Sequence, residues 1–202
     1  MMRVANHIIP FLCVAVIATS CSYSKKFTQT YYQENEALLQ SIQQRYKKLY
    51  DKHPFALEIK DRNRQRIGLE IITDSIKYIY SFDERRGNLK DTLRKFRFDE
   101  KAVSELINDM QKAHCTWITN LDYYEKGEKK YLVFLSVRHK KLEAFLKPEK
   151  YFTLAFFDRP QPFDEKQRLL DRQDKKTLRR INGGIFRKIN STVCYAIAAS
   201  FR

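Results

Sequence analysis

The sequence predicts one α+β domain, in which two or three helices pack on one face of a mainly antiparallel sheet of about six to eight strands. Two patterns indicate this class: apolar residues spaced by three and four in some segments, and strict apolar/polar alternation in several short ones. Of the 202 residues, 43% are apolar and only five are Gly and five Pro, which is enough apolar material for one core. We therefore expect residues 31–202 to fold as a single domain.

The first helix is expected from Tyr31 to His53, because its apolar residues form one stripe, and Pro54 ends it. Three alternating strands follow, around residues 55–59, 67–71 and 76–82. Their second face is mostly polar or charged, which predicts a meander with one face on the core.

A basic loop is expected next, and it leads to a second helix that Asp99 can cap. A third, highly charged helix is expected from Asp164 to Ile181, because Asp164 and Arg168 have the spacing of a helical ion pair. The remaining strands are expected at Cys115–Leu121, Tyr131–Val137, Tyr151–Phe157, Ile185–Ile189 and Val193–Phe201.

The N-terminus has the layout of an export signal. Arg3 precedes an apolar run from Ile8 to Ala18, and small residues follow it. The run contains Pro10 and is about half of the roughly 20 residues that a membrane-spanning helix needs. We therefore predict that residues 1–20 are a signal peptide.

The signal ends in Ala18-Thr19-Ser20-Cys21, which resembles the lipobox of bacterial lipoproteins. The resemblance implies cleavage between Ser20 and Cys21 and a lipid on Cys21 that anchors the chain to a membrane, with the lipid as its contact. It covers only this segment of the chain. Ala18 and Ser20 also fit cleavage by an ordinary signal peptidase, which would release a plain secreted binding protein.

Residues 21–30 are polar and predict a lipidated tether. Ser22 stands where, in the lipoprotein family, an Asp retains proteins at the inner membrane. By that resemblance we expect an outer-membrane protein that faces the periplasm.

Export would place the cysteines of the mature chain in an oxidising compartment. Besides Cys21, the mature chain keeps Cys115 and Cys194. There they can form a disulfide. In the chain-entropy model, such a disulfide stabilises the folded state by about 4 kcal/mol. The alternative is two separate buried thiols, a common environment for Cys.

No metal or cofactor motif is present in the sequence. His53, His114 and His139 lack the spacing of metal ligands, and the Gly183-Gly184 pair has no phosphate-binding context. We therefore expect no metal and no cofactor.

Two arrangements could support an envelope hydrolase with an unconventional site. His114-Cys115 could act as base and nucleophile, and Glu58 with Glu70 could form a carboxylate pair. The simpler interpretation is a core His beside a structural Cys, and solvated carboxylates that pair with neighbouring cations. We assign no catalytic residue.

The chain has 39 Lys+Arg against 24 Asp+Glu, a formal charge of +15. An anchored envelope protein is not expected to meet nucleic acid, so the predicted partners are acidic envelope polymers, lipid headgroups or proteins; a general solubilising surface is the alternative. The sequence thus favours binding or scaffolding over catalysis. The cations concentrate in four regions, at Lys60–Arg66, Arg85–Arg97, Arg138–Lys141 and Arg168–Lys188.

Overall fold

The computed structural model describes residues 30–74, 76–83, 88–125, 128–138, 150–170, 180–181 and 184–199. The chain divides into two compact units, Met1–Asn35 and Glu36–Arg202. In the first unit, the described residues 30–35 are helical. The signal peptide, Ser20, Cys21 and the tether as far as residue 29 lie outside the described residues.

The described residues form three helices and one large antiparallel sheet, so the predicted α+β class is confirmed. The large sheet has the strand order β3-β2-β1-β4-β5-β6-β10-β9, and β7 pairs with β8 separately. The elements are α1 (30–50), β1 (Phe55–Ile59), β2 (Arg66–Ile72), β3 (Lys77–Asp83), α2 (Asn88–Lys95), α3 (Glu100–Lys112), β4 (Cys115–Glu125), β5 (Glu128–Arg138), β6 (Tyr151–Phe157), β7 (Arg180–Ile181), β8 (Gly184–Ile185), β9 (Arg187–Lys188) and β10 (Val193–Ala198).

The strand register divides the sheet into two faces, because side chains alternate along each strand. One row of cross-strand neighbours lies on what we call the helix face: Leu57, Ile118, Leu135, Leu154 and Tyr195. The adjacent row points to the opposite face: Thr119, Phe134, Ala155 and Cys194.

The three helices cover the helix face, mostly through aromatic contacts. In α1, the Tyr46 ring lies 5.0 Å from the Phe55 ring, and its hydroxyl donates a hydrogen bond to the Phe55 carbonyl. Phe98, just before α3, meets Phe55 edge to face at 5.3 Å. Such ring pairs stabilise beyond their buried area, by about 0.5–1.5 kcal/mol each. Leu106 of α3 and Leu93 of α2 are fully buried in the same core.

The opposite face is covered by the described parts of residues 159–188, which contain isolated bridges, turns and short strands but no helix. Leu169 and Phe186 are buried there. The centres of the Phe186 and Phe134 rings are 6.3 Å apart. The small side chains of Ala155 and Cys194 in the same cluster leave room for this large ring.

The helix expected from Asp164 to Ile181 is wrong where the chain is described. Residues 163–170 contain two bridges and a turn, and Arg180–Ile181 is a strand. Residues 171–179 lie outside the described residues.

The expected ion pair nevertheless forms, but it closes a hairpin. The Asp164 carboxylate accepts hydrogen bonds from the backbone N–H and the Nε of Arg168, both at 2.7 Å, and the backbone bond comes first among the causes that lower the pKa of Asp164. Gln167 is left-handed, with φ 59°, and Leu169 donates its N–H to the Phe186 carbonyl. Asp therefore bonds to the backbone locally instead of supporting a helix, and Leu169 becomes buried.

The basic loop expected before Asp99 contains a helix, α2. Leu93 is its buried residue, and Arg94 pairs with Glu100 at 2.8 Å. Two turns with a single buried side chain give a weak periodic signal, which explains why the sequence did not predict this helix.

Asp99 caps α3 as expected, with its side chain accepting a hydrogen bond from the Ala102 N–H at 2.9 Å. We expect Asp99→Ala to lower the free energy of unfolding by about 1 kcal/mol, because the first turn loses this acceptor. Urea denaturation measures the change. Lys101→Ala, an exposed substitution in the same turn, should change stability by less than about 0.5 kcal/mol; equal effects of the two substitutions would contradict the assignment.

Candidate functional site

A cavity of about 130 Å³ lies where the β1–β2 turn, the α3–β4 junction and the end of β5 meet. Asp61, Arg62 and Arg64 line it from the turn, His114 from the junction, and Arg138 from β5. The space suits a few water molecules or one small polar group. We call these five residues the basic pocket.

The β1–β2 turn holds its own carboxylate. Asp61 accepts hydrogen bonds from the backbone N–H groups of Gln65 and Arg66, both at 2.8 Å. Arg64 adopts a left-handed backbone, with φ 60°, and its N–H bonds to the Asp61 carbonyl at 3.2 Å. Oδ1 of Asp61 thus fixes the turn, and the arginine side chains lie around it.

Arg64 ties this turn to the end of α3. Its guanidinium donates to the Gln111 carbonyl at 2.5 Å, while the Gln111 side chain donates to the Arg64 carbonyl at 2.9 Å. A cation at a helix C-terminus is favourable, because the last carbonyls carry partial negative charge. Arg64 therefore has a structural role as well as a place in the pocket.

His114 follows α3 and is also left-handed, with φ 53°, a position where Gly is usual. Its ring Nδ1 contacts the Arg64 guanidinium. A guanidinium only donates hydrogen bonds, so Nδ1 can take part in this contact only as an acceptor. Of the four described non-glycine residues with left-handed backbone, two line this pocket, and such conformations are characteristic of functional sites.

Arg138 approaches from the end of β5. Its backbone N–H bonds to the His114 carbonyl at 3.0 Å, which joins the strand to the junction. Its guanidinium donates to the Tyr151 hydroxyl at 3.2 Å and lies 5.6 Å from the centre of that ring. Arg62 is exposed at the rim. The basic pocket thus gathers three guanidinium groups around one carboxylate that the turn already uses.

The four basic regions of the sequence differ in what surrounds them. The pocket draws together cations of the first and the third region, Arg62, Arg64 and Arg138. Elsewhere among the described residues, several cations pair with carboxylates: Arg45 with Glu105, Lys47 with Asp158, Arg94 with Glu100, and Arg168 with Asp164. This convergence depends on strand pairing between distant segments, and no local pattern in the sequence indicated it.

Cys115 and Cys194 are both free and buried. Cys115 lies in β4 and Cys194 in β10, with β5 and β6 between them, so about 14 Å of sheet separates the strands. A disulfide needs Cα atoms within about 7 Å, so the structure contains two separate thiols. Burial raises the pKa of the Cys115 thiol, and the thiol donates to the Ala113 carbonyl, so it does not form a nucleophile with His114.

Glu58 and Glu70 are not the solvated carboxylates expected from the sequence. Their exposed fractions are 9% and 3%, and Glu70 pairs with Lys77 of β3. They lie on neighbouring strands and the same face, where Gly68 leaves room for the side chains of Glu58 and Lys60.

The residues considered for a hydrolase do not all lie in the pocket. Of them, His114 and Cys115 line it, Glu58 and Glu70 do not, and His139 lies outside the described residues. Within the described part of the chain, no group of three His, Cys, Asp or Glu residues could hold a metal ion. No described helix is long and apolar enough to cross a membrane.

The two buried thiols should resist alkylation in the native full-length protein. We expect Cys115 and Cys194 to react with iodoacetamide at least about 100-fold more slowly in the native state than in urea, because exposure requires a costly opening of the sheet. Mass mapping of the two cysteine peptides measures this without interference from Cys13 or Cys21. Peptides that stay unlabelled in urea until a reductant is added would instead indicate a disulfide.

The comparisons with known proteins give no family for this chain. No family model matches it, and no curated protein or solved structure matches it at a significant level.

Proposed function

We propose that this chain is a lipid-anchored cell-envelope protein that binds anionic envelope groups through its basic pocket. The observation that carries the proposal is the convergence of Arg62, Arg64 and Arg138 around one small cavity. The lipobox-like sequence before Cys21 supports the anchor.

The chemistry of the pocket favours a phosphate or carboxylate ligand. A guanidinium presents planar pairs of N–H donors that match two oxygens of such a group. Asp61 brings the one carboxylate among the five pocket residues, and its Oδ1 accepts two backbone hydrogen bonds from the turn. Headgroups, phosphorylated glycolipids and acidic polymers of the envelope all carry suitable oxygens.

The same arrangement favours binding over catalysis. A hydrolytic site needs a general base or an activated nucleophile. Nδ1 of His114 contacts the Arg64 guanidinium, and burial raises the pKa of the Cys115 thiol. We therefore propose a binding or scaffolding role.

Cys21→Ala should release the protein from the membrane fraction. Without the thiol no lipid can be attached, and no described helix offers another way across the membrane. Cys13→Ala is the matched control, because Cys13 is removed with the signal peptide in this proposal. Fractionation of expressing cells and the mass of the mature N-terminus measure both variants, and a Cys21→Ala protein that still partitions with membranes would contradict the anchor.

Arg62→Gln and Arg138→Gln should each weaken binding of inorganic phosphate by about tenfold or more. Each removes a charged hydrogen-bond donor, which contributes about 1.5–3 kcal/mol. Titration calorimetry on the purified full-length protein in detergent measures the affinity.

Arg159→Gln is the control, because it removes the same charge at an exposed position outside the pocket. It should leave phosphate binding nearly unchanged at moderate salt. If it weakens binding as much as the pocket variants do, the charge acts as a general surface and the pocket is not a site.

A further inference from the structure

The exposed apolar residues of the described chain concentrate at one edge of the sheet. Among the described strands, β3 is terminal in the sheet and pairs with β2 alone. Ile76, just before it, is 54% exposed, and Tyr78 and Ile79 within it are 38% and 65% exposed. An open edge with apolar side chains favours pairing with another strand.

The hydrogen bonds between β2 and β3 determine which backbone groups face outwards. The Thr73 N–H bonds to the Ile76 carbonyl at 3.0 Å, and Lys60 bonds to the Arg66 carbonyl in the preceding hairpin. Because the hydrogen-bonded pairs of an antiparallel ladder alternate, Tyr78, Tyr80 and Phe82 bond towards β2. The N–H and C=O groups of the other four strand residues point away from the sheet: Lys77, Ile79, Ser81 and Asp83.

We propose that β3 pairs antiparallel with β3 of a second copy of this chain, with Tyr80 facing Tyr80 on the two-fold axis. This register opposes Lys77 to Asp83 of the second copy and Ile79 to Ser81. All four outward-facing residues of each strand then have a partner, in four pairs with two hydrogen bonds each, about eight in all.

Charge complementarity supports the second copy as the occupant. Lys77 and Asp83 lie at opposite ends of β3, so only an antiparallel copy brings unlike charges together at both ends. A lysine on an edge strand normally discourages pairing with a second strand. Here Glu70 partly compensates the charge of Lys77.

The side chains of the helix face continue across the same junction. Tyr78, Tyr80 and Phe82 form a row with ring centres 6.5 and 5.9 Å apart, and Phe96 packs against it. Pairing about Tyr80 places Tyr78 beside Phe82 of the second copy, which extends the row over both chains. The dimer would have one continuous sheet.

Disulfide cross-linking of the full-length protein tests the register. In the proposed dimer the two Tyr80 Cα atoms are about 4.5 Å apart, whereas the two Tyr78 Cα atoms are about 13 Å apart. Under mild oxidation we expect Tyr80→Cys to form a covalent dimer at least about tenfold more efficiently than Tyr78→Cys. Tyr78 is a partly exposed control site on the same face. The parent chain, treated in the same way, shows how much dimer forms through its own cysteines. Equal yields from both variants, or strong self-linking of Ile79→Cys instead, would overturn the register.

Ile79→Pro tests the edge itself. The N–H that it removes faces outwards. The hydrogen bonds between β2 and β3 therefore remain, while the dimer loses two central hydrogen bonds, one from each copy. We expect Ile79→Pro to abolish the Tyr80→Cys cross-link, and Ile79→Thr, which keeps the N–H, to retain it. Circular dichroism confirms that both variants are folded, and a cross-link that persists in folded Ile79→Pro, or that joins Tyr80→Cys to a different protein, would overturn the proposal.

Discussion

The burial of β5 and β6 on both faces is the constraint on which the rest of the structure depends. From Leu132 to Val137 and throughout β6, every residue is buried, although antiparallel sheets often leave one face in water. Two covers are therefore needed. Helices provide one, and the described parts of residues 159–188 provide the other, anchored by Phe186 against Phe134.

This double cover determines where the chain can bind a partner. With both central faces buried, the two candidate binding features lie at the strand ends and at the sheet edge. The basic pocket lies at the strand ends, where Arg64 bonds to the last carbonyls of α3 and Arg138 follows the buried part of β5. The apolar surface of β3 lies at the edge, beyond the covered strands. The β1–β2 turn that lines the pocket leads directly into β2, the strand that pairs with β3, and Arg66 lies opposite Asp83 at that end of the edge strand.

The sequence was informative where one local rule decides the outcome. Alternation located β1 to β3, and Asp99 marked the start of α3. It failed where tertiary contacts override local preference, as in the hairpin at Asp164, where burial of Leu169 outweighs helical charge spacing. The pocket could be predicted only as separate basic runs, because the pairing of β1 with β4 and of β4 with β5 brings Arg64 and Arg138 together. Likewise, Glu58 and Glu70 look solvated from their charge alone.

The basic pocket is assembled from three stretches that are far apart in the chain, at Asp61–Arg64, His114 and Arg138. An unfolded chain cannot hold these groups together, so an anion bound there binds the native state alone. Mass action then couples occupancy to folding: at 100 times the dissociation constant, a ligand adds about 2.7 kcal/mol to the stability of the native state. Under the proposed function, the melting temperature of this domain therefore rises with the concentration of such anions around it.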